Sequence, residues 1–300
     1  MKKIAVIGAG NVGKVLGLAL SRQGYALVGT VTRRAETLHA AGELLQCPVY
    51  EEPHLASREA EIVFITTPDG IIAEVCQEIA DNNGFLPGQV VVHCSGVHSS
   101  GILQAAREAG ARVLSMHPLQ TFPGTEAGLR GLPGTFFAAE GDPEAFPVAE
   151  KLVSALGGNV MSIPTEMKTL YHAAACIACN YLATLLDGAL RLYQHMDVPG
   201  EQAMEALYPL ISMTLENIKE VGPEKALTGP IARGDAATIQ SHVAELGRSF
   251  PGLLPLYRTM GRETVRLALR KGTLDAERAE KIYQYLEGGF AENDGSLFHR

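Results

Sequence analysis

A chain of 300 residues with 46% hydrophobic and 19% charged side chains is long enough for two cores and too apolar to stay disordered. Its formal net charge is −8 and it has no concentrated run of Lys or Arg, which excludes an extended nucleic-acid surface. Cysteines at 47, 76, 94, 176 and 179 follow no framework spacing and predict reduced thiols in a cytoplasmic protein.

The two lysines at the start precede an apolar run too short for a signal segment, so Lys3–Ile7 reads as a first strand. A glycine turn and a helical pattern over 12–22 follow, then a strand over 26–31 and a helix over 34–45. Further strands are expected at 61–65, 89–93, 113–116, 134–139 and 159–163, with helices at 71–80 and 144–156. Strand and helix alternate in short units, which predicts an α/β, doubly wound parallel sheet. After Pro164 only helical patterns remain: one long helix over 167–193, then 201–220, 236–247, 253–270 and 274–286. The expected organisation is a nucleotide-binding domain over 1–163, an all-α substrate and dimerisation domain over 164–290 and a frayed tail over 291–300. The most apolar stretch, 170–186, holds His172, Asn180 and several alanines, and is expected to be a buried helix rather than a membrane span.

Gly8-Ala9-Gly10-Asn11-Val12-Gly13 matches Gly-x-Gly-x-x-Gly where that pattern has meaning, after a strand and at the opening of a helix. Gly8 permits the tight turn, Gly10 lets a pyrophosphate approach the backbone, and Gly13 lets helix and strand pack closely. The N–H groups of the helix start, at Asn11 and Val12, carry partial positive charge for phosphates. An NAD site places an acid at the end of the second strand; here Thr32-Arg33-Arg34 stand there. A guanidinium fork suits a 2′-phosphate, so the expected cofactor is NADP(H), the other reading being a solvated arginine pair.

Ligands of such sheets bind outside the carboxyl ends of the strands. Thr67 and Pro68 are expected beside the cofactor, and Ser95 and His117 beside the substrate. For Ser95 the other reading is a cap or turn hydroxyl, and for His117 a hydrogen bond within a turn. Lys168 and His172 are four apart and share a helix face, with Asn180 further along. Lys168 is the first candidate to protonate a carbonyl oxygen and His117 the second, with Ser95, His172 and Asn180 orienting the substrate. The other reading of Lys168 is a solvated side chain at a frayed helix start. Cys176 and Cys179 lie mid-helix without further ligands, so they read as helix packing, and no metal is expected.

These motifs, together with Ser115-Met116-His117-Pro118-Leu119-Gln120-Thr121-Phe122, Lys168-Thr169-Leu170-Tyr171-His172-Ala173-Ala174-Ala175, Asn180-Tyr181 and Leu227-Thr228-Gly229-Pro230-Ile231-Ala232-Arg233-Gly234-Asp235, resemble bacterial proteins that join a Rossmann-like domain to domain of unknown function 2520. The layout is also similar to that of pyrroline-5-carboxylate reductases, β-hydroxyacid dehydrogenases and ketopantoate reductases. The resemblance implies a helical domain of the 6-phosphogluconate dehydrogenase C-terminal type and a homodimer packed through it. In β-hydroxyacid dehydrogenases a lysine opens the first long helix of that domain, with an asparagine one turn later; Lys168 matches the lysine and His172 stands where the asparagine would be. Ser95 and His117 resemble the serine and His-Pro motif of prephenate dehydrogenases, but Leu119-Gln120-Thr121 departs from its continuation. The expected function is NADPH-dependent reduction of a small carbonyl compound, led by a branched 2-keto acid such as ketopantoate. The rivals are cyclic-imine reduction and a regulatory module that binds NADP(H) without turnover. Arg233, on a loop expected to reach the cleft from a partner subunit, would hold a carboxylate, or else cap a helix end.

Overall fold

Short apolar runs, most of them β-branched, make β1 (Lys3–Ile7), β2 (Ala26–Val31), β3 (Ile62–Ile65), β4 (Val90–His93), β5 (Arg112–Pro118), β6 (Phe136–Gly141) and β7 (Asn159–Ser162). The computed structural model describes residues 2–33 and 35–287. The strands form one sheet in the order β2-β1-β3-β4-β5-β6-β7. Helices α1 (Asn11–Arg22), α2 (Ala35–Leu45), α3 (Pro53–Arg58), α4 (Ile72–Asp81), α5 (Gln104–Glu108), α6 (Thr125–Gly131) and α7 (Phe146–Ala155) connect them. Alternation along the strands sends Ile4, Phe64, Val92 and Leu114 into one core with α1 and α7. Ala5, Val63, Val91 and Val113 go to the other, against α3, α4 and α5.

The first five strands are parallel, as expected, but β6 runs antiparallel to β5 and carries β7 with it. A parallel neighbour needs a crossover to the far end of the sheet. Residues 119–135 instead return the chain to the same end, where Phe137 pairs with Pro118. The connections from β1 and β3 leave on opposite sides, so the switch point of the sheet lies at the end of β1, where the glycine loop stands.

The chain forms two compact units, Met1–Tyr181 and Leu182–Arg300. The sheet ends at Ser162, close to the expected boundary, but α8 (Lys168–Ala178) groups with the first unit. The reason is a tether: the hydroxyl of Thr165, just ahead of α8, donates to Glu140 of β6 at 2.9 Å. The single helix expected over 167–193 is two, α8 and α9 (Asn180–His195), parted at Cys179 (φ −116, ψ −65). Nor is the stretch buried: Leu170 is 68% exposed and Ile177 63%. Hydropathy says that an apolar face wants covering, not what covers it. By length and composition alone, Thr165–His195 also passes as a membrane span.

The second unit holds α10 (Gly200–Ala226), kinked at Gly222 (φ 80), then α11 (Pro230–Arg233), α12 (Ala236–Ser249), α13 (Leu254–Lys271) and α14 (Ala276–Glu287). Ile239, Val265, Ile282 and Leu286 form its core. Asp235 caps α12 by accepting from the Thr238 N–H at 3.1 Å. Residues 230–233, read as loop, close one helical turn that Gly234 ends in the left-handed conformation. The tail expected over 291–300 lies outside the described residues.

Candidate active site

The glycine loop is built as its chemistry requires. Gly8 has φ +101, and a Cβ there would stand 2.7 Å from the backbone nitrogen of Thr67. At Gly13 a Cβ would press on the Gly8 carbonyl and stand 2.5 Å from Thr66 Oγ1. Gly10 is different: among the described residues a Cβ would meet nothing within 4 Å, and α1 opens behind it with no side-chain cap. This open cradle at a helix N-terminus fits a dinucleotide pyrophosphate. Asn11 and Val12 offer it backbone only, since the Asn11 amide donates to Phe122 O at 2.8 Å and Val12 packs on the core. Thr66 Oγ1 donates to Gly8 O at 2.7 Å and holds the turn from the next strand. Thr67 Oγ1 is buried without a hydrogen-bond partner among the described residues, and Pro68 is exposed beside it.

A cavity of about 240 Å³ continues from the loop past Val31, Thr32, Arg33 and Thr67 to Glu74. Arg33 is 70% exposed and pairs with Glu74 at 3.7 Å. So exposed a pair contributes little, and the guanidinium can turn to a phosphate. The Thr32 hydroxyl shares a hydrogen bond with Thr37 at 3.0 Å. Arg34 lies outside the described residues.

A larger cavity, about 740 Å³, opens between the end of β5 and α8. His117, Tyr171, His172 and Asn180 line it, so the first unit brings three of the expected residues together and adds Tyr171. His117 Nδ1 lies 2.8 Å from Tyr171 Oη, and the His117 and His172 rings meet edge to face at 5.9 Å. Both imidazoles crowd Gly96, where a Cβ would stand 2.9 Å from His172 Nε2 and 3.0 Å from His117 Nε2. Burial, reinforced by Lys168 and His172, pushes His117 down to about 4, and burial pushes Tyr171 up to about 12. At neutral pH this is a neutral imidazole hydrogen-bonded to a protonated phenol. Tyr171 carries no signal of its own in an alanine-rich helix; it becomes visible once α8 is turned toward β5.

Lys168 and Ser95 are placed elsewhere. Lys168 is 1% exposed, its Nζ has no hydrogen-bond partner among the described residues, and it does not line the cavity. Burial lowers its pKa against the opposing pull of Glu140, Cys94 and Asp69. The solvated reading of this lysine fails, and so does direct contact with the cavity. Ser95 is a turn hydroxyl: its Oγ accepts from Val97 N at 3.3 Å and from His98 N at 3.1 Å. The Ser95 N–H donates to His93 Nδ1, and His93 Nε2 donates to Ser99 O, both at 3.1 Å. Glu140, 2% exposed, accepts from Ser100 N at 2.6 Å and from the Ser100 and Thr165 hydroxyls at 2.9 Å. It fastens the loop after β4 to the entry of α8. Sequence reasoning placed His93 at a strand end, in His93-Cys94-Ser95-Gly96, without a role and missed Glu140, because a polar residue on a strand shows its partners only when the sheet is assembled. Among the described residues no group of three His, Cys, Asp or Glu is placed to hold a metal.

The buried histidines predict acid sensitivity. Burial first, then Lys168, pushes His93 down to about 3. Both His93 and His117 are held neutral in the fold, below the ordinary value of 6.5. The unfolded chain therefore takes up protons first as pH falls, and stability present above pH 6.5 is lost on the way down to 4. Urea unfolding is expected to show up to about 2 kcal/mol lost per histidine between pH 7 and 5. A stability flat over that interval contradicts the placement.

A Rossmann-like domain model matches residues 1–118, and the model of a domain of unknown function, DUF2520, matches 135–264. No curated protein matches the chain. Among solved structures it is similar to a Bacteroides fragilis protein provisionally named an NADP oxidoreductase, at 23% identity and a TM-score of 0.71, over 88% of this chain and 98% of that one. It is similar to Plasmodium falciparum pyrroline carboxylate reductase with NADP bound, at 12% identity and a TM-score of 0.58, over 95% and 98% of the two chains. It is also similar to an imine reductase from a Pseudomonas species, at 20% identity and a TM-score of 0.58, over 95% and 92%. At these identities the likeness is one of fold.

Proposed function

We propose that this chain, which belongs with the proteins joining a Rossmann-like domain to DUF2520, is an NADPH-dependent oxidoreductase that reduces a C=O or C=N bond in the cavity beside His117. The observation that carries this reading is the 2.8 Å His117–Tyr171 hydrogen bond, set in a substrate-sized cavity at the carboxyl end of β5. The glycine cradle and Arg33 support the cofactor, as do relatives named for NADP. NADPH, when bound, supplies the hydride. The protein's own work is to hold the substrate and place a proton. Tyr171 O–H is the donor, His117 fixes the phenol, and His172 and Asn180 orient the substrate. Lys168, first choice on sequence, is moved by its burial to the framework with Glu140.

Branched 2-keto acids such as ketopantoate and cyclic imines are the two substrate classes at issue. A homodimer is part of the proposal, with the exposed Leu170, Ile177 and Tyr181 on its interface, as is a cytoplasmic setting suited to free thiols. The test follows NADPH and NADH oxidation against a panel of ketones, 2-keto acids and cyclic imines. NADPH is expected to be preferred at least about tenfold in kcat/KM, with Arg33→Ala erasing most of that preference. Turnover with neither cofactor sinks the reading; a preference for NADH sinks the role of Arg33.

A further inference from the structure

We infer that the cavity beside His117 selects uncharged, lipophilic carbonyl or imine compounds and turns carboxylates away; this rests on the reductase reading above. Among the described residues lining the cavity there is no Lys, Arg, Asp or Glu. Leu119, Phe122, Met161, Ala174 and Ala178 give it apolar walls. Its polar groups are the hydroxyl, amide, thiol and imidazole kind, and His117 stays neutral down to about pH 4 because it is buried. A carboxylate entering such a space gives up its water and finds no cation in return.

One further feature points the same way. The buried lysine behind the wall, Lys168, has no hydrogen-bond partner among the described residues, and the carboxylates that act on it are Glu140 and Asp69. Proteins that grip small anions use an open helix N-terminus or an arginine fork. The volume, about 740 Å³, is that of a site for a drug-sized molecule, so the substrate carries an apolar group beyond its reacting ring or chain.

The reaction balances with the groups already named. The C=O or C=N carbon gains the hydride of NADPH, which leaves as NADP⁺. The oxygen or nitrogen gains the Tyr171 proton, and water reprotonates the phenolate between turnovers. The product is an alcohol or an amine.

The test uses pairs that differ only in methyl against carboxylate: 4-phenyl-2-butanone with 2-oxo-4-phenylbutanoate, and 2-methyl-1-pyrroline with 1-pyrroline-2-carboxylate. Full-length protein with NADPH is expected to show at least a tenfold higher kcat/KM for the methyl member of each pair. An equal or reversed preference overturns the inference while leaving the reductase reading intact. If none of the four is reduced, the loss falls on the reductase reading, and selectivity is then read by calorimetric binding of the same compounds in the presence of NADP⁺. There, tighter binding of the methyl members by tenfold or more upholds the inference; equal, reversed or absent binding overturns it.

Discussion

Tyr171→Phe is expected to lower kcat by about 10²- to 10³-fold while KM and thermal stability stay close to those of the parent. The substitution removes one oxygen and keeps the ring that packs at the cavity wall. What it takes away is the proton donor and the partner of His117 Nδ1, 2.8 Å from it. The loss corresponds to about 3–4 kcal/mol of transition-state stabilisation, within reach of one positioned acid. Because burial pushes the phenol up to about 12, the rate of the parent should stay level through pH 9, where an ordinary tyrosine begins to ionise. The rival donor is Lys168. Stopped-flow single turnovers of Tyr171→Phe and Lys168→Met separate the two, and a Tyr171→Phe enzyme at more than half of parental kcat removes Tyr171 from the role.

The second large effect is a contrast between two glycines of one loop. Gly13→Ala should destabilise the fold by about 2–3 kcal/mol, because the new methyl meets the Gly8 carbonyl and Thr66 Oγ1, and backbone has to give. Gly10→Ala should leave the melting temperature of the free protein unchanged, since its methyl meets nothing within 4 Å. That methyl instead occupies the cradle, so NADPH affinity should fall at least about tenfold, or 1.4 kcal/mol. Thermal unfolding with and without NADPH reads both at once, through the stabilisation that a ligand of the folded state confers. A Gly10→Ala protein that NADPH stabilises as well as the parent would falsify the assignment of this loop to the pyrophosphate.

Much of this was legible in the residues. The strand and helix sequence of the first half, the glycine loop and its context, and the strand ends that carry Thr67 and His117 all follow from periodicity and turn chemistry. So does the packing role of Gly13, which the structure places against Gly8 and Thr66. Such features are local: a turn, a helix start and an alternation of side chains are decided within a few residues. The errors were non-local. Nothing within residues 119–135 says which end of the sheet they return to, so β6 and β7 were expected to be parallel to the rest. Cys179 looks like any small residue in an apolar run, yet the helix breaks there. The exposure of Leu170 and Ile177 depends on what covers α8, and hydropathy does not record that.

The site divides along the same line. By itself the sequence determined that a Gly-x-Gly-x-x-Gly loop ends the first strand, that basic residues close the second, and that polar residues gather at strand ends. Each of those is a property of a short segment. Only the tertiary structure decided which polar residues share a space. It set Tyr171 against His117, spent Ser95 on its own turn, and buried Lys168 and Glu140 behind the wall. The physical reason is that a side chain's protonation, partners and access to substrate are set by neighbours up to dozens of residues away. In this chain those neighbours meet where α8 crosses the end of β5.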